Sequence, residues 1–298
     1  MPGLPADYFP IEIVIEPKSK AVAEALPALL EASGHDIRIE TNFETGQVII
    51  AGRSEAQLRQ VVRRIEDATD SCIHVGEPQV LYCERLGCPA EVDFTHKKQA
   101  AGTGSFARIK LLFEPLHAGA GFVFENRIVG GAVPETFIPA VEKGLEAARQ
   151  NGLLAGYPVI DFRAVLLDGA YHDLDSTPLS FEIAARGAFR QLRHLAEPCL
   201  AQPVVDIDVA VPDALAGAVC SVMGARGLTE ILPMKREAGA PLRFHGWYIR
   251  ALGVEDEMLQ RTGGAAQLDI RCTGLDTVPS APAGGDDDTF PPAIGMRA

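Results

Sequence analysis

Two stretches of the chain, one toward each end, repeat a single order of hydrophobic patterns. Ile11, Ile13 and Ile15 alternate with Glu12, Val14 and Glu16, a period of two that buries one face of a strand. Ser19 predicts the cap of a helix running through Ser33, with Val22, Ala25, Leu26 and Leu29 on one side and a kink at Pro27. Ile37 and Ile39 open a second strand, and Glu44-Thr45-Gly46 turns into a third at Val48-Ile49-Ile50. Leu58, Val61, Val62 and Ile65 then stand at i, i+3, i+4 and i+7 of a helix beginning at Ser54. Residues 203–278 give the same order. Val205, Ile207, Val209 and Val211 alternate, and Leu215, Val219, Val222 and Met223 mark a helix. Strands near 228–235 and 242–250, a helix near 254–262 and a strand from Gln267 to Cys272 complete it.

Each repeat reads as βαββαβ, a ferredoxin-like plait, over 1–75 and 203–278. Residues 76–202 follow a different pattern. Glu135 to Gln150 predicts a helix with Ile138, Val141, Leu145 and Ala148 on one side and Gly152 as its stop. Ile160, Phe162, Ala164 and Leu166 alternate toward Tyr171-His172. Ser176 or Thr177 can cap a further helix whose first turn accepts Pro178 and whose buried side is Phe181, Ala184, Ala188, Leu192 and Leu195. Arg186, Arg190 and Arg193 form a stripe on the opposite side at i, i+4 and i+7. Such a stripe is ordinarily a solvated face, and phosphate binding is the sharper alternative. Residues 279–298 are rich in Gly, Pro and Asp with little to bury, so a disordered tail is expected there.

Composition narrows the function classes. The 298 residues are 47% hydrophobic, suited to two or three globular domains. No apolar run reaches the ~20 residues of a membrane-spanning helix, and the start lacks the pattern of a secretory signal. A cytoplasmic protein without a membrane partner is expected. The six cysteines include no Cys-x-x-Cys pair, so packed, reduced thiols are expected rather than a metal site. A formal charge of −13, with no basic segment, confines any RNA contact to local patches. His172, Asp173 and Asp175 could be drawn as a metal or acid–base cluster, and Ser176 as a nucleophile. No second His lies within helix or hairpin reach, however, and a strand end followed by a helix cap accounts for the composition. No catalytic residue, metal or cofactor is therefore assigned, and the expectation is that the chain is not an enzyme. The sequence has no Gly-x-x-x-x-Gly-Lys followed by Ser or Thr, and no Asn-Lys-x-Asp.

Two motifs carry a family likeness: Phe124-Glu125-Asn126-Arg127-Ile128-Val129-Gly130-Gly131-Ala132-Val133-Pro134, and Leu167-Asp168-Gly169-Ala170-Tyr171-His172-Asp173-Leu174-Asp175-Ser176-Thr177. The helix between them carries Ile138-Pro139-Ala140-Val141-Glu142-Lys143-Gly144 and closes toward Leu154-Ala155-Gly156-Tyr157-Pro158. From Gly121 to His194 this succession closely resembles the fourth domain of bacterial elongation factor G, and the flanks resemble its third and fifth domains more weakly. The resemblance implies an α/β (α+β) fold in which two ferredoxin-like plaits flank a central ribosomal-protein-like α/β domain. It also implies a translation factor whose middle-domain tip enters the decoding region during translocation of tRNA and mRNA.

In that family the turn matching His172, Asp173, Asp175 and Ser176 meets the tRNA–mRNA duplex. A second tip loop, Gly-Gly-Arg-Gly-Gln, corresponds here to Ala101-Gly102-Thr103-Gly104-Ser105; Lys97 and Lys98 just before it partly replace the lost charge. The RNA-binding set implied is His172, Asp173, Asp175, Ser176, Gly102, Gly104, Ser105, Lys97 and Lys98, with Arg186, Arg190 and Arg193 as the phosphate-binding alternative. The partners implied are the ribosome, its rRNA and the tRNA–mRNA of the decoding region, bound by a monomer. The family's GTPase half is expected to be lost or encoded elsewhere, so a separate GTPase chain is a second partner to consider. Gly52-Arg53-Ser54-Glu55-Ala56-Gln57-Leu58 departs from the family's GTPase-facing Gly-Met-Gly-Glu-Leu-His-Leu. Gly263-Gly264-Ala265-Ala266 replaces its Gln-Gly-Arg-Gly. A protein-interaction module away from the ribosome, or an inactive relic, is the alternative function.

Overall fold

A computed structural model describes residues 8–31, 36–42, 46–100, 103–231 and 239–278. The segment 279–298, Gly102 and the second half of the expected strand at 228–235 lie outside the described residues.

Strand β1 (Ile11–Pro17) is followed by α1 (Lys20–Glu31), β2 (Arg38–Thr41), β3 (Val48–Gly52), α2 (Glu55–Ala68), β4 (Ile73–Val75) and the short β5 (Gln79–Val80). The sheet order is β2-β3-β1-β4, with β5 also pairing β1. The register sets Ile13 opposite Ile50, so the isoleucine alternation faces the helices. Ser54 caps α2 as expected, its side chain accepting from Gln57 N, and Leu58, Val61, Val62 and Ile65 are buried. Helix α1 departs from expectation: it buries Leu26 and Leu30 and leaves Ala25 exposed. Two leucines remove far more apolar area from water than an alanine, and they decide which face turns inward.

The middle segment contains β6 (Cys83–Arg85), β7 (Ala90–Ala100), β8 (Thr103–Pro115), β9 (Phe122–Asn126), α3 (Ile138–Arg149), β10 (Phe162–Ala170) and α4 (Pro178–Leu195), and ends on the start of β11 (Cys199–Ala210). Strands β7 and β8 form a long hairpin, and the sheet order is β7-β8-β10-β9. β9 and β10 run parallel, with α3 as their crossover. Ile109, Leu111, Phe113 and Phe162 face Phe181 and Phe189 in a closed core. Thr177, not Ser176, is the N-cap of α4, in a reciprocal capping box with Ser180. Leu195, expected in the core, is 47% exposed, because it falls in the last turn and Leu192 and Ala196 take the inward positions.

The opposite face of this sheet is covered by ion pairs. Lys110 meets Glu91, and Arg108 meets Asp93 and Asp168. Arg163 bridges Glu114 and Glu125, and Arg127 also holds Glu125. Hydrogen bonds from Arg163 and then Arg127 hold Glu125 below the usual carboxylate range. A register shift between Leu166 and Asp168 makes this arrangement possible. Without it, period-two alternation from Phe162 would turn Asp168 toward the core.

The last segment continues from β11 into α5 (Ala216–Ala225), β12 (Thr229–Glu230), β13 (Leu242–Trp247), the short α6 (Tyr248–Ala251), α7 (Val254–Thr262) and β14 (Gln267–Thr277). Its order, β12-β13-β11-β14, repeats that of the first plait. The strand expected to reach 250 stops at Trp247, because Tyr248 turns inward and is 1% exposed. The described residues of 8–81 and 202–276 make one compact unit and those of 82–201 another. Within the first unit one hydrophobic cluster draws on both plaits, and Glu55 accepts from Gly253 N at 2.9 Å. No helix among the described residues is long and apolar enough to cross a membrane.

Candidate nucleic-acid interface

The end of the 82–201 unit is built by stitching two chain reversals together. After β10, residues Tyr171–Ser176 turn tightly into α4. Asp175 N and Ser176 N donate to the His172 carbonyl at 3.2 and 3.0 Å. The Ser176 hydroxyl accepts from His172 N at 2.9 Å and donates to Phe106 O at 2.7 Å. Phe106 N in turn donates to Asp175 O at 3.0 Å. Ser176 is thus used inside the turn, and its bonds clamp that turn to the β7–β8 hairpin.

The clamp leaves His172 outside. Its side chain is 57% exposed, with Nδ1 3.4 Å from an Asp175 carboxylate oxygen and within 3.4 Å of Leu174 N. Asp173 is exposed, and Leu174 is 88% exposed. Beside the imidazole lies an open cleft of about 400 Å³, lined by Lys97, Lys98, Gly104, Ser105, Phe106, Ala170, Tyr171, His172 and Asp175. Lys97 and Lys98 are exposed and make no ion pair among the described residues. Gly104 is where the two reversals touch: a Cβ there would stand 2.4 Å from the Asp175 carboxylate. Because that carboxylate is the end of a flexible side chain, Gly104→Ala is expected to change stability by less than about 1 kcal/mol. It should nevertheless swing Asp175 off His172, which would shift the His172 ring resonances in an NMR spectrum. Unmoved resonances would show that the close approach is not there.

The structure divides the expected RNA-binding residues into two groups. His172, Asp175, Gly104, Ser105, Lys97 and Lys98 meet at the cleft, whereas Asp173 is exposed in the same turn without lining it and Gly102 lies outside the described residues. The arginines stand apart from it. α4 starts beside the cleft at Thr177, passes Phe94 at Gly187, and ends where Ala196 O accepts from Gly87 N and Cys88 N. It therefore runs back along β7, carrying Arg186, Arg190 and Arg193 away from His172. One member of the cleft neighbourhood was not foreseen: His96 Nε2 lies 3.1 Å from Ser105 Oγ. Hairpin register carries that signal, since His96 pairs Ala107 and Ser105 pairs Lys98, a diagonal on one face.

No group of three or more His, Cys, Asp or Glu among the described residues is arranged to hold a metal ion. Cys83 is fully buried, its thiol pushed up by that burial and donating to Ala201 O at 3.7 Å.

Residues 78–197 match the family model described as elongation factor G, domain IV. The chain is 51% identical over 219 residues to elongation factor G of Hyphomonas neptunium, an overlap covering 72% of this chain and 31% of that protein. It is 45% identical to elongation factor G of Paracoccus denitrificans over the same length, with 72% and 31% covered. It is 42% identical to that of Wolbachia pipientis, with 72% and 32% covered. The chain thus spans about a third of the length of the curated relatives it matches. Among solved structures it is similar to a crystal structure of a Thermus thermophilus protein, with a TM-score of 0.71 at 28% identity, covering 92% of this chain and 41% of that one.

Proposed function

Through residues 78–197 the chain belongs to the elongation factor G family, and on that premise we propose that it binds the ribosome near the decoding site and modulates movement of tRNA and mRNA. The observation that supports this most is the clamped cleft at the end of the 82–201 unit. There an exposed imidazole, two lysines without ion pairs among the described residues and a glycine-lined approach are held on one hydrogen-bonded frame. A sugar-phosphate chain needs local cations and close backbone access, and the cleft offers both. The charge-paired sheet face offers neither, so a polyanion is directed to the cleft despite the overall acidity. His172 contributes a ring-nitrogen donor and a flat face, Lys97 and Lys98 contribute charge, and Ser176 and Gly104 hold the geometry. Binding of this kind is not an enzymatic step and draws on no cofactor or metal. It also does not depend on bound GTP, since these residues carry no phosphate-cradling loop.

Where a separate GTPase takes part, it would dock on the first plait near Gly52–Leu58. In that segment Gln57 Oε1 already accepts from Arg53 N at 2.8 Å, and Ser54 Oγ accepts from Gln57 N at 3.2 Å. Those internal bonds favour action without it.

Pelleting with purified ribosomes is the test. Binding should be equal with and without GTP and should weaken as salt rises, by about 0.7–0.9 log units per log unit of salt for each phosphate contact. The combined variant K97A/K98A/H172A should bind about tenfold or more weakly. No pelleting of the intact chain at low salt would leave the non-ribosomal interaction module as the better reading.

A further inference from the structure

We propose that the outward stripe of α4 is a second RNA-contacting surface, one that grips the phosphate backbone of a double helix rather than its bases. The proposal rests on the ribosomal reading for its choice of RNA as the anion. Arg186, Arg190 and Arg193 are all exposed. Arg190 and Arg193 make no ion pair among the described residues, in a protein of net charge −13 where most of the other described cations are paired. The acidic residue of α4, Glu182, is neutralised twice, by Arg186 and by Lys143 at 3.2 Å. The helix surface therefore presents uncompensated positive charge beside a sheet whose outer face is balanced.

At ~1.5 Å rise per residue, the three arginines cover about 10 Å of helix. Over that length one nucleic-acid strand presents about three phosphates. Guanidinium forks suit phosphate oxygens bidentately, which a lysine stripe would not. No Phe, Tyr or Trp lies on the stripe, whose one neighbouring ring is the imidazole of His194 at its end, so base stacking is not its main means of binding. Duplex RNA is held mainly through backbone contacts, the chemistry these residues supply.

The test uses the full chain, with a labelled blunt RNA duplex of about 16 base pairs and, in parallel, purified ribosomes. The variant R186Q/R190Q/R193Q should lose at least tenfold in duplex affinity at low salt, with its log-affinity versus log-salt slope shallower by about 2.1–2.7. R190Q/R193Q leaves the Arg186–Glu182 pair intact and guards against a folding effect; its slope should be shallower by about 1.5. The all-lysine variant should keep the slope while binding less tightly. Unchanged affinity and slope in the glutamine variants overturn the proposal. Loss of ribosome affinity without any duplex binding also overturns it and assigns the stripe to an acidic protein partner. If the chain does not pellet with ribosomes yet binds the duplex through these arginines, the ribosomal reading fails and this contact stands.

Discussion

Replacing Glu84 by alanine should destabilise the 82–201 unit by about 3–5 kcal/mol and lower its Tm by more than about 10 °C. Glu84 is 0% exposed, yet it carries a carboxylate. Its two oxygens accept from a run of backbone amides: Leu153 and Leu154 (2.9 Å) on one, Ala155 (2.8 Å) and Tyr157 (3.3 Å) on the other. The loop is shaped around it, with Gly152 at φ +67 and a Cβ there only 2.6 Å from the same carboxylate. The main chain of Glu84 adds to the join, donating to Pro158 O at 2.8 Å and accepting from Ile160 N at 2.9 Å. Alanine would leave amides without an acceptor where water has poor access, each costing about 1–3 kcal/mol before any relaxation. Glutamine is nearly the same size but turns an NH₂ toward the donors, so it should recover less than half of the loss. Urea denaturation followed by circular dichroism measures the stability, and hydrogen exchange of the 153–157 amides localises it. A change below about 1 kcal/mol in the alanine variant, with those amides still protected, would mean that the carboxylate does not organise the loop.

Contacts of this kind explain what could and could not be read from the sequence. Strand and helix periods in both plaits were legible because they are local. The apolar positions of β1 and α2 recur at two and at 3.6 residues whatever lies across the sheet. Their identical βαββαβ order followed from those periods. The middle unit was legible by a different route, the likeness of its two motifs to a known domain. Where expectation failed, a long-range choice had overridden a local one. Helix α1 turned on the greater burial of Leu30, and β13 ended early to bury Tyr248. At β10 the alternation was legible but the shift at Leu167 was not, because a bulge is defined only against the partner strand.

The candidate site divides along the same line. His172, Lys97, Lys98 and Gly104 could be named in advance through the family resemblance alone, because by themselves a strand end, a helix cap and a glycine-bearing turn are ordinary local signals. Their meeting at one cleft depends on the Ser176–Phe106 and Asp175–Phe106 bonds, which join residues about seventy positions apart. His96 was missed because its partnership with Ser105 needs the hairpin register. The arginine stripe was seen, but nothing local tells that α4 runs back along β7 and so separates it from the cleft.

Gly144 offers the second large effect, and there the sign of a modest substitution is decisive. In an exposed helix interior, Gly→Ala stabilises by about 1 kcal/mol, because alanine restricts the unfolded chain and favours helix. In α3 the reverse is expected. A Cβ on Gly144 would stand 2.5 Å from Glu182 O, 3.0 Å from Glu182 Cα and 2.8 Å from the Ala185 Cβ of α4. Two of those neighbours are backbone atoms and cannot swing aside, so the helices must separate. Overpacking of this type costs about 1–3 kcal/mol, enough to exceed the propensity gain. Gly144→Ala should therefore destabilise the unit by about 1–2 kcal/mol, and Gly144→Leu by about 3 kcal/mol or more. The consequence reaches the cleft, since α4 begins at the Thr177 cap immediately after the His172 turn. Moving α4 outward pulls on Asp175 and Ser176, the residues bonded to Phe106. The alanine variant should then bind ribosomes more weakly than its stability loss alone requires, with the His172 ring resonances displaced. A neutral or stabilising Gly144→Ala, measured by urea denaturation, would sink the close α3–α4 crossing and with it the claim that this crossing positions the turn.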